Sequence, residues 1–173
     1  EEALAANDSK KLRGAIITFV AGQAPDLDRI YDIAKKYGII LIEDCRSSLG
    51  GTYKGKKIGN LRADMTIFST NPSNSKYAIS RSGVIVTNNE DIANRAKLLR
   101  THALTTTYDS YGNLDYVYDV VDIGHKYDLS ELDAAYALAQ LNKTEKFIKR
   151  RKEIAKLYEK RLSDVKHITV LPH

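Results

Sequence analysis

Two apolar runs bracket an amphipathic segment near the start of the chain, and this arrangement restricts the fold more than any other feature. The runs cover residues 15–20 and 39–43; between them Leu27, Ile30, Tyr31, Ile33, Ala34 and Tyr37 recur at helical spacing within residues 26–37. Pro25 precedes that segment and Gly38 follows it, the usual punctuation of a helix's two ends. Strands that are apolar at nearly every position belong inside a parallel sheet covered on both faces, and two parallel strands need a crossover of about this length. The pattern predicts a βαβ unit. Its second strand reads Ile39-Ile40-Leu41-Ile42-Glu43-Asp44, so a carboxylate stands at the carboxyl edge, where open α/β sheets bind their ligands.

Further strands are expected over residues 65–69 and 84–87, after a turn at Lys54-Gly55-Lys56, and a helix over residues 91–102. From residue 129 the pattern changes in kind. Ser130-Glu131-Leu132-Asp133 is a cap signal for a helix over residues 131–141, and a second amphipathic helix follows Lys143-Thr144, marked by Phe147, Ile148, Ala155, Tyr158 and Leu162. Between residues 105 and 128, Tyr108, Tyr111, Tyr116, Tyr118 and Tyr127 surround Gly112-Asn113, a hairpin signal. A last strand is expected over residues 167–171, and residues 1–8 read as a frayed helix. The whole reads as a single domain over residues 1–173, with an α/β core over about 15–128 and a helical tail over about 129–173.

With 173 residues, 43% of them hydrophobic, the chain can bury one substantial core. Its formal charge of +5 raises the question of nucleic acid. Much of the excess lies in residues 143–161, where Lys146, Lys149, Arg150, Lys156 and Lys160 alternate with Glu145, Glu153 and Glu159. That is the solvated face of a helix, and no nucleic-acid motif accompanies it; a basic binding module on this helix is the reading that the charge leaves open. No stretch is long enough to span a bilayer and no charged-then-apolar leader opens the chain, so a cytoplasmic protein without membrane partners is expected. Cys45 is the only cysteine and allows no intramolecular disulfide or zinc framework. His102, His125, His167 and His173 stand at no metal-ligand spacing with a carboxylate, so no metal is expected.

Several short motifs occur in a telling order: Val20-Ala21-Gly22-Gln23, Ile42-Glu43-Asp44, Thr52-Tyr53-Lys54-Gly55-Lys56-Lys57-Ile58-Gly59, Ile67-Phe68-Ser69 and Val86-Thr87-Asn88. Together they resemble the DegT/DnrJ/StrS family of pyridoxal-phosphate-dependent nucleotide-sugar aminotransferases, from about residue 15 to the end. The resemblance implies a three-layer α/β sheet like the large domain of fold-type-I transferases, here incomplete and with a helical C-terminal tail. It implies pyridoxal 5'-phosphate as cofactor, a nucleotide-linked keto sugar and an amino donor such as glutamate as substrates, and a homodimer. Asp44 matches the family aspartate that keeps the cofactor's pyridine nitrogen protonated, and Ser69 the serine that binds its phosphate.

Other family positions are altered. Members carry a lysine in a Phe-Ser-x-x-Pro-x-Lys-Asn pattern that bonds covalently to the cofactor aldehyde. Here the text is Phe68-Ser69-Thr70-Asn71-Pro72-Ser73-Asn74-Ser75-Lys76, so Asn74 takes that position in the gapless register, and an amide cannot form the bond. Lys76 reaches the position only through a two-residue bulge. Ser47 replaces the Gln or His beside the cofactor ring, and Ser80-Arg81-Ser82-Gly83 replaces an acidic, glycine-rich turn. Gly124-His125-Lys126-Tyr127-Asp128 stands for the Gly-x-Asn-Tyr/Phe-Arg segment that reaches the phosphate in a neighbouring subunit; Lys126 keeps a point charge there and Asp128 reverses the arginine's sign. The family's N-terminal phosphate-binding turn has no counterpart before residue 15, and most of its small C-terminal domain is missing. Two expectations follow: a sugar aminotransferase piece that is incomplete or inactive alone, or a degenerate, non-catalytic relative keeping the fold and the dimer surface.

Overall fold

The computed structural model describes residues 1–6, 12–70, 82–108 and 114–169. A short helix, α1 (Glu2–Ala6), leads to the βαβ unit that the apolar runs predict: β1 (Gly14–Thr18), α2 (Leu27–Tyr37) and β2 (Ile40–Asp44). Gly38 ends α2 because it can adopt the left-handed conformation, with φ of 61°, and its N–H meets the carbonyls of Ala34 and Lys35. A small hairpin follows, β3 (Thr52–Tyr53) and β4 (Lys56–Lys57); its turn residues Lys54 and Gly55 both have positive φ, which matches the right-handed twist of the strands they join. β5 (Met65–Ser69) and β6 (Gly83–Val86) complete a four-stranded sheet in the order β1-β2-β5-β6. β2 runs parallel to both of its neighbours, whereas β6 is antiparallel to β5.

The expected strand over residues 15–20 stops at Thr18. The chain instead makes one tight helical turn at Val20–Gly22, with Ala21 at φ of 54° and Gly22 at 87°. Phe19 stays with the core while Val20 turns outward to solvent.

The core lies on one face of the sheet. Leu27, Tyr31 and Ala34 of α2 pack with Leu41, Phe68, Phe19, Ile58 and Cys45, and Ala15, Ile17 and Val86 border them. Completely buried, Leu27 contributes on the order of 1.5–3 kcal/mol. Because side chains alternate along a strand, the strand register puts Ile16, Ile40, Ile42, Met65, Ile67 and Ile85 on the opposite face. Among the described residues that face is open: Ile16 is 67% exposed and Ile85 52%. The expectation of cover on both faces is therefore not met by the described residues, although the strands keep the apolar composition of a two-sided sheet.

Beyond the sheet, the Asn89 side chain caps α3 (Glu90–Arg100) by accepting the N–H groups of Asp91 and Ile92. His102, expected as the helix's last residue, lies past its end with Ala103, both in the left-handed region. β7 (Leu104–Tyr108) and β8 (Leu114–Val120) pair antiparallel, as the hairpin signal requires; the turn at Gly112-Asn113 lies outside the described residues. Ser130 caps α4 (Glu131–Leu141), its Oγ accepting the Asp133 N–H at 3.1 Å. α5 (Thr144–Leu162) starts against Gly50 through Thr144 and Ile148, but Tyr158, expected on its apolar face, points to solvent. Residues 167–169 form no strand, and residues 170–171 lie outside the described residues.

Candidate functional site

Asp44 closes β2 at the carboxyl edge of the two parallel pairs. The strand tip is held on both sides: the Phe19 N–H donates to the Asp44 carbonyl at 3.0 Å, and the Cys45 N–H donates to the Ile67 carbonyl at 2.9 Å. Alternation sends the Asp44 side chain to the open face, away from α2. There the Arg46 Nε donates to both carboxylate oxygens, at 2.8 and 3.1 Å, with the Arg46 backbone N–H at 3.4 Å and Thr18 Oγ1 at 3.5 Å. The hydrogen bond from the Arg46 side chain is the main reason why Asp44 titrates below the usual aspartate range, against the opposing effect of partial burial. The group is a carboxylate at neutral pH.

Ser69 shares that face. In register Asp44 sits opposite Ile67, so Ser69 lies two residues further along the neighbouring strand, with its side chain buried. Beyond it, Thr70 holds Ser82 through N–H to carbonyl at 2.9 Å and through its Oγ1. The chain between β5 and β6 thus departs and returns at the carboxyl end of β5. Asn74 and Lys76 are in this segment and lie outside the described residues, as do Ser80 and Arg81.

Ser47 is exposed on the turn that follows β2. The Val20–Gly22 turn comes down on it so closely that a Cβ on Gly22 would lie 3.0 Å from the Ser47 carbonyl oxygen and 4.0 Å from Ser48 Oγ. Ser48 Oγ is buried with no hydrogen-bond partner among the described residues. Cys45 is fully buried, and burial pushes its thiol up to about 12, so it is inert packing rather than a nucleophile. Lys126 is set apart from this group. Its segment runs beside the end of α3, bridging to Thr101, with the His125 N–H on the Leu99 carbonyl at 2.7 Å and His125 stacked on Tyr127. No described contact joins Lys126 to Asp44 or Ser69. No described group of acidic, histidine or cysteine side chains could hold a metal ion, and no described helix is long and apolar enough to cross a membrane.

Sequence reasoning missed two side chains. Arg46 is the partner of Asp44, and its signal was an opposite charge two residues along on an exposed turn. Glu43 is completely buried on the α2 side, where Tyr31 Oη donates to its Oε1 and Thr66 Oγ1 to its Oε2 at 3.0 Å. Strand alternation gave its signal: if Asp44 faces outward, Glu43 must face the core and needs donors there.

The sequence profile of the DegT/DnrJ/EryC1/StrS aminotransferase family matches residues 2–173. The chain belongs to that family. Within it, the chain is 33% identical over 161 residues to the UDP-4-amino-4,6-dideoxy-N-acetyl-beta-L-altrosamine transaminase of Campylobacter jejuni serotype O:23/36, covering 92% of this chain and 40% of the relative. Among solved structures it is similar to Helicobacter pylori PseC, an aminotransferase involved in the biosynthesis of pseudoaminic acid, with a TM-score of 0.82, 25% identity, and coverage of 91% of this chain and 40% of the other. Spr1654 of Streptococcus pneumoniae, in its PLP form, shares the fold at a TM-score of 0.76 and 23% identity, over 91% of this chain and 44% of that one. The chain thus spans about two fifths of the length of these family members.

Proposed function

We propose that the chain provides part of the cofactor-binding face of a pyridoxal-phosphate-dependent aminotransferase acting on a nucleotide-linked keto sugar. The observation that carries the reading is the placement of an ionised carboxylate, Asp44, and a hydroxyl, Ser69, on one face at the carboxyl ends of adjacent parallel strands, in a chain of this family. The donor set suits such a ligand, since the anion can pair with a protonated ring nitrogen and the hydroxyl can donate to a phosphate. When bound, the cofactor supplies an electron sink for amino transfer.

The protein's own work is positioning. Asp44 holds a proton on the ring nitrogen by charge pairing, Ser69 fixes the phosphate end, and Ser47 lines the ring. Lys126 serves as a point charge for the phosphate across a homodimer contact. A donor such as glutamate supplies the amino group, and the setting is cytoplasmic, without nucleic-acid or membrane partners. The 173 residues act as one partial large domain, a core over about 15–128 with its tail over about 129–173, and are incomplete or inactive alone.

Asn74 favours the second reading, a degenerate relative that keeps the fold and the dimer surface but not the reaction; Lys76 is the alternative nucleophile. Adding pyridoxal phosphate, reducing with borohydride and mapping the modified peptides separates the two. Stoichiometric labelling of Lys76 restores the catalytic reading, and scattered low labelling of surface lysines supports Asn74 in the nucleophile's place. Sedimentation over a wide concentration range tests the dimer, which a strictly monomeric species would exclude for this chain.

A further inference from the structure

We propose that Arg46 is a built-in counter-ion that occupies Asp44 and must swing away before the carboxylate can take a cationic heteroaromatic ring. The inference rests on the cofactor reading of Asp44. It begins from how the pair is made. Of the Arg46 side chain it is Nε that hydrogen-bonds Asp44, shared between both oxygens at 2.8 and 3.1 Å, with the Arg46 backbone N–H at 3.4 Å from one of them. The strong form of this interaction is a two-pronged fork with parallel bonds; a shared Nε contact is the weaker form, open to exchange.

Accessibility points the same way. The Arg46 side chain is 53% exposed whereas that of Asp44 is 13% exposed, so the cation can leave into water while the anion stays fixed at the strand tip. The anion is anchored by its backbone, through the Phe19 N–H on the Asp44 carbonyl and the Cys45 N–H on Ile67. Arg46 belongs to the turn after the strand and is free of that ladder. Asp44 therefore presents one site to two competing cations, one attached to the chain and one arriving with the ligand. Occupation by the first lowers apparent affinity for the second, as any competing internal ligand does. For a pair whose cation is half in water the effect is modest, about two- to fivefold.

The test uses pyridoxamine 5'-phosphate, which binds without needing a lysine, and inorganic phosphate as a second probe, both titrated calorimetrically into the full chain. Arg46→Ala and Arg46→Gln are each expected to bind pyridoxamine phosphate about two- to fivefold more tightly than wild type, with phosphate affinity unchanged. Asp44→Asn should lose the ring's contribution, and Arg46→Ala should then give no gain on that background. Circular dichroism confirms that each variant folds, which exposure of Arg46 favours. Equal affinity in wild type and both Arg46 variants overturns the counter-ion role while leaving the cofactor reading intact. Weaker binding of both probes in the Arg46 variants overturns it too, since Arg46 would then be a phosphate ligand. Absence of binding in every variant overturns both readings together.

Discussion

Replacing Tyr31 with phenylalanine removes one oxygen from the centre of the fold and tests whether Glu43 is held as the structure describes. Glu43 is 0% exposed, Thr66 4% and Tyr31 5%, so water does not replace a lost partner. Tyr31 Oη and Thr66 Oγ1 each serve one oxygen of the Glu43 side chain. Burial, and then the bond to Glu43, push the Tyr31 hydroxyl well above its ordinary range, so it remains a proton donor throughout the accessible pH range. Phenylalanine keeps the ring and the Arg62 guanidinium stacked 4.9 Å from its centre, so the substitution removes only what the hydroxyl makes, its bond to Glu43 and its contact with the Arg62 backbone. Leaving a buried polar group without its partner costs about 1–3 kcal/mol. For a domain of this size that lowers the thermal midpoint by roughly 2–12 °C. Urea unfolding followed by far-ultraviolet circular dichroism measures it, with Tyr158→Phe, on an exposed residue, as a control expected to stay within about 0.5 kcal/mol. The triple variant Glu43→Met/Tyr31→Phe/Thr66→Val removes the carboxylate together with its donors and should recover at least half of the loss, because no polar atom is then stranded. A Tyr31→Phe protein as stable as wild type, or a triple variant far less stable than the single one, would refute the reasoning.

Other outcomes follow from single sites. Asp44 is held below its ordinary value of 3.8 in the folded state; its contribution is therefore complete above about pH 4 and disappears as pH falls through the folded value, and Arg46→Ala should raise the Asp44 midpoint in a carboxyl-carbon NMR titration. An unchanged midpoint would show that Arg46 is not what holds it down. Gly124→Ala should unfold the link between α3 and β7, because a Cβ would lie 2.2 Å from the Ala103 backbone nitrogen and 2.3 Å from the His102 carbonyl carbon; a cost above about 3 kcal/mol in the same urea assay is expected, and a neutral substitution would contradict that close approach. Cys45, fully buried with its thiol pushed up to about 12, should resist a disulfide reagent at pH 8 until urea unfolds the chain, and fast labelling of the native protein would mean that the tip of β2 opens readily.

Local chemistry made much of the fold legible. The βαβ unit follows from two apolar runs around an amphipathic segment that only one connection can join, and the cap signals at Gly38 and Ser130 are chemical preferences of single residues, so the bounds of α2 and α4 could be read closely. Asp44 was legible because a strand's end is set by its own apolar run. Three things depended on tertiary structure. Strand 15–20 stops at Thr18 because the chain must turn down onto the segment after β2, a contact between residues far apart in sequence. Among the described residues the sheet's second face stays open, because cover is a property of what packs against a strand, whereas composition records only what the strand could tolerate. Glu43 and Arg46, finally, are ordinary charged residues in the sequence. Strand alternation buries Glu43 among hydroxyls from α2 and β5 that become its neighbours only when the chain has folded, whereas Arg46 closes on a carboxylate two residues away once the turn after β2 has formed.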